Sequence, residues 1–285
     1  MNLSFAWRAR HSSDGDLCWW LCTKCRRHGD DSLEHRNCGC GNIRREGPPE
    51  RLSWRAGHRV RKASSDLDDI LGRMDVTPSE IPHREVYNLL LSTVAPRPIA
   101  WVSSLSASGQ PNLAPFSFFN VVSANPPLLG FSPGRRAPKH VADGSSVGEA
   151  KDTLRNVRET GEFVVNIVTF ELAEAMNLTS GEYDASVNEF EIAQLAWASS
   201  THVRPRRVAL SPASFECKVH QILDFNPGPE GSSLVIGKVV SIHIEEPYLK
   251  DGRLDRNALD LIGRMGGMQY TRTTERFEMV RPKVE

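Results

Sequence analysis

Two long segments with a period-two pattern constrain the fold of this chain most strongly. Residues two apart on a β-strand point to the same side, so a repeat of two predicts a strand with one apolar face. A loop rich in proline and glycine, residues 226–231, joins the two segments. The apolar faces of the two segments consist of Phe215, Cys217, Val219, Leu223 and Phe225, and of Leu234, Ile236, Val240, Ile242 and Ile244. The sequence therefore predicts a long, irregular β-hairpin over Phe215–Phe225 and Ser233–Ile244.

Shorter elements precede this hairpin. A helix is expected from Asp152, as its N-cap, to Thr160, because Gly161 is a typical helix stop. The pattern also predicts a helix at Tyr87–Leu91, a helix at Phe170–Leu178 capped by Thr169, and strands at Ala100–Leu105, Leu128–Phe131 and Phe163–Val168. Many short strands with few helices indicate a mainly β fold with α additions, namely a β-barrel, rather than alternating βαβ units.

The composition changes near residue 80. Residues 1–80 are rich in Arg, Asp, Gly and Ser, whereas apolar strands and short helices follow one another from about Ile81 onward. A segment that is poor in aliphatic residues cannot bury enough apolar surface to order itself. We therefore predict a largely disordered N-terminal extension over 1–80 and a folded domain over 81–285.

Charge and hydropathy narrow the classes of partner. Lys and Arg together number 35, as do Asp and Glu, so no strong basic field favours nucleic acid as a partner. No run reaches the roughly 20 apolar residues of a transmembrane helix, and no membrane association is expected. We expect a cytoplasmic protein. Arg8 and Arg10, which precede the first acidic residue, Asp14, leave a mitochondrial presequence as the alternative.

Two neighbouring runs and one helix start carry the chemistry. Ala95–Ser104 and Asn112–Asn120 combine apolar strands with prolines and small hydroxyl and amide side chains. This combination suits a flat, polar-edged aromatic ligand with an anionic tail. Lys151-Asp152-Thr153 opens a helix, where free N–H groups and the helix dipole favour an anion.

These blocks resemble the flavin-reductase-like family. The resemblance covers roughly residues 81–275 and also includes Asn125 to Ser132, Gly161–Asn166 and Arg264 to Tyr270. It implies an FMN-binding split β-barrel that forms a homodimer, with FMN near the subunit interface. It further implies an oxidoreductase that uses NAD(P)H as a co-substrate and acts on a small-molecule substrate.

The resemblance also implies a set of cofactor-binding residues. At the phosphate end it places Ser103, Ser104, Lys151 and Thr153, supported by Arg97 and Asn156. Along the ring and the ribityl chain it places Asn112, Ala114, Phe116, Ser117, Phe118 and Asn120, with Arg264 approaching from the far side or from the partner subunit. No catalytic side chain is assigned, because a flavin itself accepts the hydride.

The residues leave several activities open. The protein could reduce flavin with NAD(P)H or oxidise a small molecule with bound flavin. It could also be a non-enzymatic FMN-binding electron carrier, or a zinc-dependent interaction protein whose barrel is degenerate. A dinucleotide-binding fingerprint is missing from the sequence, so a Rossmann domain is not supported.

A cysteine cluster marks the N-terminal extension. Cys22, Cys25, Cys38 and Cys40 have the spacing Cys-x2-Cys-x12-Cys-x-Cys. Four thiolates on a segment too short for a hydrophobic core are typical of a structural zinc site. The single residue between Cys38 and Cys40 is unusual for such a site, and the alternative is a disordered extension with free thiols. The family resemblance does not extend to this segment.

Overall fold

A computed structural model describes residues 74–136, 139–140, 146–147, 149–226 and 231–284. The predicted extension over 1–80 lies, except for its last residues, outside this description. The same holds for the zinc site predicted at Cys22, Cys25, Cys38 and Cys40. Both the domain boundary and the zinc site therefore stay predictions.

The described part of the chain is built mainly from antiparallel strands, which confirms the predicted fold class. Seven of the strands form one sheet in the order β2-β1-β7-β10-β11-β4-β3. In chain order the strands are β1 Ala100–Leu105, β2 Pro111–Phe116, β3 Phe119–Ala124, β4 Pro127–Phe131, β5 Lys139–His140, β6 Ser146–Val147, β7 Glu162–Asn166, β8 Trp197–Ala198, β9 Arg207–Val208, β10 Ala213–Asp224, β11 Ser233–Ile244, β12 Leu249–Lys250, β13 Arg253–Leu254, β14 Ile262–Arg264 and β15 Tyr270–Arg272.

Short helices connect these strands: α1 His83–Thr93, α2 Asp152–Thr160, α3 Ala173–Leu178 and α4 Glu189–Ile192, with 3-10 turns at Pro78–Glu80 and Glu246–Tyr248. Helix α2 ends as predicted, since Gly161 has a φ of 71° and its N–H bonds to the carbonyl of Val157. None of the helices in the described residues has the length and apolar run needed to traverse a bilayer.

Two helix starts differ from the sequence prediction. The N-cap of α2 is Lys151 rather than Asp152, which already has helical geometry. Helix α3 begins at Ala173, after a turn in which the carbonyl of Thr169 accepts the N–H of Leu172. Thr169 is therefore part of a preceding turn and does not cap α3.

The sheet is buried on both faces at β1 and β7, because adjacent residues of a strand point to opposite sides. On one face, Val102 of β1 joins Phe131 and Phe163 in a hydrophobic cluster. On the other face, Trp101 joins Leu113 and other apolar side chains in a second cluster. The core thus lies on both sides of the central strands.

The long hairpin β10–β11 forms as predicted, but β-bulges change which side chains share a face. Val240 is an extra residue opposite Glu216 and Cys217, and His220 is an extra residue opposite Ile236 and Gly237. An extra residue in one strand shifts the alternation by one position, so side chains beyond it move to the other face. The two predicted apolar faces are therefore each split between both sides of the sheet.

The register shows the outcome of this shift. Phe215, Val219 and Ile222 pack against the first cluster, whereas Leu223 is paired with Leu234 on the outer face. Val235 and Val239 are buried in the cluster in place of Leu234 and Ile236. Strand β11 is thus apolar on both faces, and among the described residues Leu234 and Ile236 on the outer face are only half-buried.

A buried carboxylate fixes the segment between β8 and β9. Glu216 of β10 is fully buried and accepts backbone N–H groups from Thr201 at 2.7 Å, His202 at 2.6 Å and Val203 at 3.1 Å. Nε2 of His243, in β11, lies 2.5 Å from Oε1 of Glu216, the oxygen that also accepts the N–H of Thr201. Burial raises the pKa of Glu216, but the hydrogen bonds from Thr201, His202 and His243 outweigh it, so the net pKa is lowered.

Candidate functional site

A cleft lies between the edge strand β2 and the N-terminus of α2. We call it the α2 cleft. The residues that line it are Asn112, Ala114, Pro115, Phe116, Arg136, Lys151, Asp152, Thr153, Thr179, Ser180, Gly181, Glu182, Tyr183 and Glu189. Five of the sequence-predicted cofactor residues are among them: Asn112, Ala114, Phe116, Lys151 and Thr153. The structure therefore brings residues from two separate sequence blocks into one site.

The N-terminus of α2 is suited to binding an anion. Lys151 precedes the helix in extended geometry, and no side chain caps the N–H groups of the first turn. These free N–H groups and the helix dipole attract negative charge. Among the described residues, the ammonium group of Lys151 has no hydrogen-bond or ion-pair partner. A ligand anion in the cleft would thus meet an unpaired cation and unpaired backbone donors.

Two arginines hold the one carboxylate of the first turn of α2. Asp152 is buried and pairs with Arg155, Nη2 to Oδ1, at 2.6 Å. Its other oxygen pairs with Arg136, which also donates to the carbonyl of Tyr183 at 3.2 Å. With Lys151, three cations face two carboxylates, those of Asp152 and of the exposed Glu182, so one positive charge remains at the mouth of α2 apart from the buried Glu189.

Buried amides and hydroxyls support the wall of the cleft. The Nδ2 group of Asn112 donates to Oγ1 of Thr153 at 2.8 Å and lies 3.4 Å from Oγ of Ser104. The Nδ2 group of Asn156 donates to the same serine at 3.2 Å. All four side chains are buried. Ser104 and Asn156 therefore lie behind the lining residues and hold Asn112 and Thr153 in place.

This network leaves one hydrogen-bond donor and one acceptor without partners among the described residues. Thr153 Oγ1 accepts the bond from Asn112, and its own O–H has no acceptor among the described residues. Oδ1 of Asn156 is enclosed and lacks a partner in the same set of residues. Buried polar groups are seldom left unpaired. The unused donor of Thr153 faces the cleft, where a ligand oxygen can accept it.

Ser103 lies on the other side of the sheet from Ser104. Its hydroxyl donates to the carbonyl of Arg206 at 2.5 Å and lies 3.5 Å from Nδ2 of Asn166. Adjacent side chains of a strand point to opposite sides of the sheet. Ser103 therefore does not line the α2 cleft, and its predicted contact with the phosphate stays a prediction.

The two predicted arginines form a separate cluster. The guanidinium of Arg97 donates to the carbonyls of Leu91, Val94 and Met265 at 2.6–2.9 Å and thereby closes the C-terminus of α1. Burial, followed by the nearby charge of Arg264, lowers the pKa of Arg97. Arg264 stacks 4.5 Å above the ring of Tyr270 and donates to its hydroxyl. Neither arginine lines the α2 cleft.

The remaining predicted ring contacts lie at the turn between β2 and β3. Ser117 and Phe118 occupy the turn, and Phe118 is 42% exposed. Asn120 is exposed on β3, and its Oδ1 accepts the N–H of Val121 at 2.8 Å. The three residues lie next to the cleft in sequence but do not line it, so their contact with a cofactor stays a prediction.

Sequence reasoning missed three charged residues of the site. Arg136 follows β4 and Glu182 follows α3, both in loops without a recognisable motif, and Glu189 opens the short helix α4. The carboxylate of Glu189 accepts the N–H of Leu113 at 3.0 Å. Burial, more than any other cause, raises the pKa of Glu189, and the charge of Asp152 adds to this. Nothing in the sequence around Glu189 indicates a role at the cleft.

Comparisons with known proteins agree with this geometry. The model of the flavin reductase like domain matches residues 92–258, which contain every lining residue of the α2 cleft. The chain is also 36% identical over 213 residues to protein BH2278 of Halalkalibacterium halodurans, covering 74% of this chain and 98% of that protein.

Solved structures show the same fold. Nitrilotriacetate monooxygenase component B from Bacillus cereus superposes with a TM-score of 0.66 at 33% identity, covering 73% of this chain and 98% of that one. A split-barrel flavin reductase, described as putative, from Shewanella frigidimarina superposes with a TM-score of 0.58 at 22% identity, covering 72% and 96%. The predicted split-barrel architecture is thereby confirmed.

Proposed function

The chain belongs to the flavin reductase-like family, and from this we propose that it is an FMN-binding oxidoreductase. Its activity would be either the reduction of flavin by NAD(P)H or the flavin-dependent oxidation or reduction of a small molecule. The similarity to a monooxygenase component at 33% identity supports the oxidoreductase class. When bound, the flavin supplies the hydride chemistry, so the protein need only bind, orient and shield it.

The observation that carries this proposal is the anion site at the mouth of α2. A phosphate monoester has oxygens that accept hydrogen bonds and a charge between one and two at neutral pH. Lys151, the hydroxyl of Thr153 and the free N–H groups of α2 match these needs. Arg136 and Arg155 neutralise Asp152, so the positive charge of Lys151 is available to the phosphate. We assign the phosphate of FMN to this end of the cleft.

The wall of β2 would hold the rest of the cofactor. Ala114 and Phe116 offer apolar surface to a flat ring, and Asn112 offers an amide at the ribityl chain. Ser117, Phe118 and Asn120 follow directly, where exposed side chains can reach the outer edge of the ring. Arg97 and Arg264 would act indirectly, by fixing the position of α1 and β14.

We also propose that two copies of the chain associate. The support is the uncovered apolar surface around edge strand β3. Val121 is 65% and Val122 is 50% exposed, and Val122 lies over Gly130 next to Leu234 of β11. The edge of β3 is open in the described residues. Exposed apolar edge strands promote association, and a second copy of this chain is the occupant that we propose.

The visible absorption spectrum of the purified protein, before and after anaerobic addition of NADPH or NADH, tests the proposed function. We expect a flavin spectrum that bleaches on reduction. A flavin spectrum that resists both nucleotides would contradict the NAD(P)H-dependent activity and favour an electron carrier. A protein that binds no flavin even after addition of FMN would overturn the proposal as a whole.

A further inference from the structure

Glu189 lies where the hydrophobic core meets the α2 cleft. It is 7% exposed and lines the cleft, and its Oε2 accepts the N–H of Leu113 at 3.0 Å. The backbone N–H of Glu189 itself also donates to this carboxylate. The carboxylate is therefore held by two backbone donors at the wall of the space that a ligand would enter.

The charge balance of the site opposes an ionised Glu189 when a phosphate is bound. Lys151, Arg136 and Arg155 carry three positive charges against the carboxylates of Asp152 and Glu182, so one positive charge remains to offset a bound phosphate and none remains for Glu189. A charged Glu189 would then be an uncompensated anion in a buried position. Burial of an unpaired charge is costly, and the usual response of a carboxyl group is to take up a proton.

The surroundings of Glu189 favour protonation of its carboxyl group even before a ligand enters. The charged and titratable side chains that line the cleft with it are Arg136, Lys151, Asp152, Glu182 and Tyr183. Glu191 follows on its own helix and is exposed. Burial raises the pKa of Glu189 and the charge of Asp152 adds to it, while the hydrogen bonds from the backbone N–H groups of Glu189 and Leu113, and then the charge of Arg136, oppose them; the net pKa is raised. A phosphate, being a second nearby anion, would raise this pKa further.

We propose that Glu189 takes up one proton from solvent when the phosphate of FMN enters the α2 cleft, so that its carboxyl group is neutral in the loaded site. This inference rests on the proposed function. The neutral carboxyl keeps its bond to Leu113 through one oxygen and gains an O–H donor that can reach a ligand oxygen. Cofactor binding is thereby linked to pH through this carboxyl group.

Isothermal titration calorimetry of FMN into the full-length protein tests this linkage. Titrations in two phosphate-free buffers with different ionisation enthalpies report the number of protons taken up per FMN bound. The wild type should take up more protons than Glu189→Gln, by up to about one per FMN. As pH rises, the affinity of the wild type for FMN should fall relative to that of Glu189→Gln, by up to about tenfold per pH unit. The ionisation of the phosphate itself is common to both proteins and cancels in this comparison.

Glu191→Gln is the matched control, because Glu191 is an exposed carboxylate on the same helix and does not line the cleft. It should keep the wild-type proton count. If Glu189→Gln folds poorly, infrared difference spectra of the wild type and Glu191→Gln give the same answer. Both should gain the carbonyl band of a protonated carboxylic acid when FMN binds.

The outcomes separate this inference from the proposed function. Equal proton counts for the wild type and Glu189→Gln, or no new carboxylic acid band, would overturn the inference while FMN binding itself stands. A wild-type protein that binds no FMN would overturn both.

Discussion

The carboxylate of Glu189 accepts the backbone N–H of Leu113 at 3.0 Å, on the open edge of the sheet. Strand β2 is an edge strand, and alternate residues of an edge strand direct their N–H groups away from the sheet. The flanking positions of this outward row, Pro111 and Pro115, have no N–H to offer. Glu189 therefore accepts the hydrogen bond of the one remaining outward N–H group of β2, that of Leu113. This bond protects the edge of the sheet against pairing with another strand.

This bond makes Glu189 important for stability. Glu189→Ala would leave a buried N–H unpaired, and we expect a loss of about 1–3 kcal/mol in the free energy of unfolding. Glu189→Gln keeps an acceptor and should lose less. Glu191→Ala, at an exposed residue of the same helix, is the control and should change stability by less than about 0.5 kcal/mol. Urea denaturation measures all three, and equal values for the two alanine variants would contradict the prediction.

The same residue has a defined pH dependence. Its folded-state pKa is raised above the ordinary value of 4.5. A carboxyl group with a raised pKa contributes stability that is fully present below its ordinary pKa and is lost as pH rises through the folded value. The free energy of unfolding of the wild type relative to Glu189→Gln should therefore decrease from acid toward neutral pH. Urea denaturation at a series of pH values would show a flat difference if this reasoning is wrong.

The phosphate assignment predicts a selective loss of affinity. Lys151→Ala removes a cation that has no partner among the described residues, and a hydrogen bond to a charged group contributes about 1.5–3 kcal/mol. FMN affinity should thus fall by at least about tenfold. Riboflavin, which lacks the phosphate, should bind both proteins equally. Lys250→Ala, at an exposed position of β12, is the control. Fluorescence titration measures these affinities, and an equal loss for riboflavin and FMN would place the phosphate elsewhere.

The buried carboxylate of Glu216 should make the protein sensitive to acid. Its pKa is lowered, so it contributes stability above its ordinary pKa that is lost as pH falls. Glu216→Ala would leave three backbone donors unpaired, and we expect a cost of at least about 3 kcal/mol. In Glu216→Gln, the free energy of unfolding should fall less steeply as pH drops below the ordinary pKa of a glutamate. Glu245→Gln, in a partly exposed pair with Arg207, is the matched control. Thermal unfolding over an acid pH series tests this, and identical profiles would contradict it.

The association that we propose predicts a change of oligomeric state. Val122→Asp places a charge on the exposed apolar surface of β3, and light scattering should show a shift from dimer toward monomer. Leu210→Asp, at a residue that is 64% exposed in the turn after β9, should leave the dimer intact. A wild-type monomer, or a dimer that survives Val122→Asp, would exclude this surface as the interface.

Local sequence signals predicted much of the fold. Strand β1 has the predicted bounds, and α2 ends at Gly161 because a left-handed residue is needed there. The extents of β10 and β11 follow from their β-branched and alternating composition. The blocks around Asn112 and Lys151 were sufficient to indicate the family and one wall of the cleft. In each case the signal lies within a few residues of the element that it specifies.

The missed features depend on contacts between distant segments. Both consecutive apolar pairs of the hairpin, Ile222-Leu223 and Val239-Val240, fit either face, so the sequence could not locate the bulges. The buried face of β11 is decided by Phe163, whose ring lies 2.3 Å from the place of a Cβ at Gly237 and so requires glycine there. That constraint joins residues far apart in the chain.

The sequence by itself determined the class of fold, the bounds of β1 and β11, and the end and the cationic start of α2. Tertiary structure alone decided that Ser104 lies behind the cleft while Ser103 faces away, since this depends on what packs against each side of β1. It also brought Glu189 to the edge of β2, 76 residues away from Leu113. Short-range propensities act along the chain, whereas burial, pairing and charge balance arise only where separate segments meet.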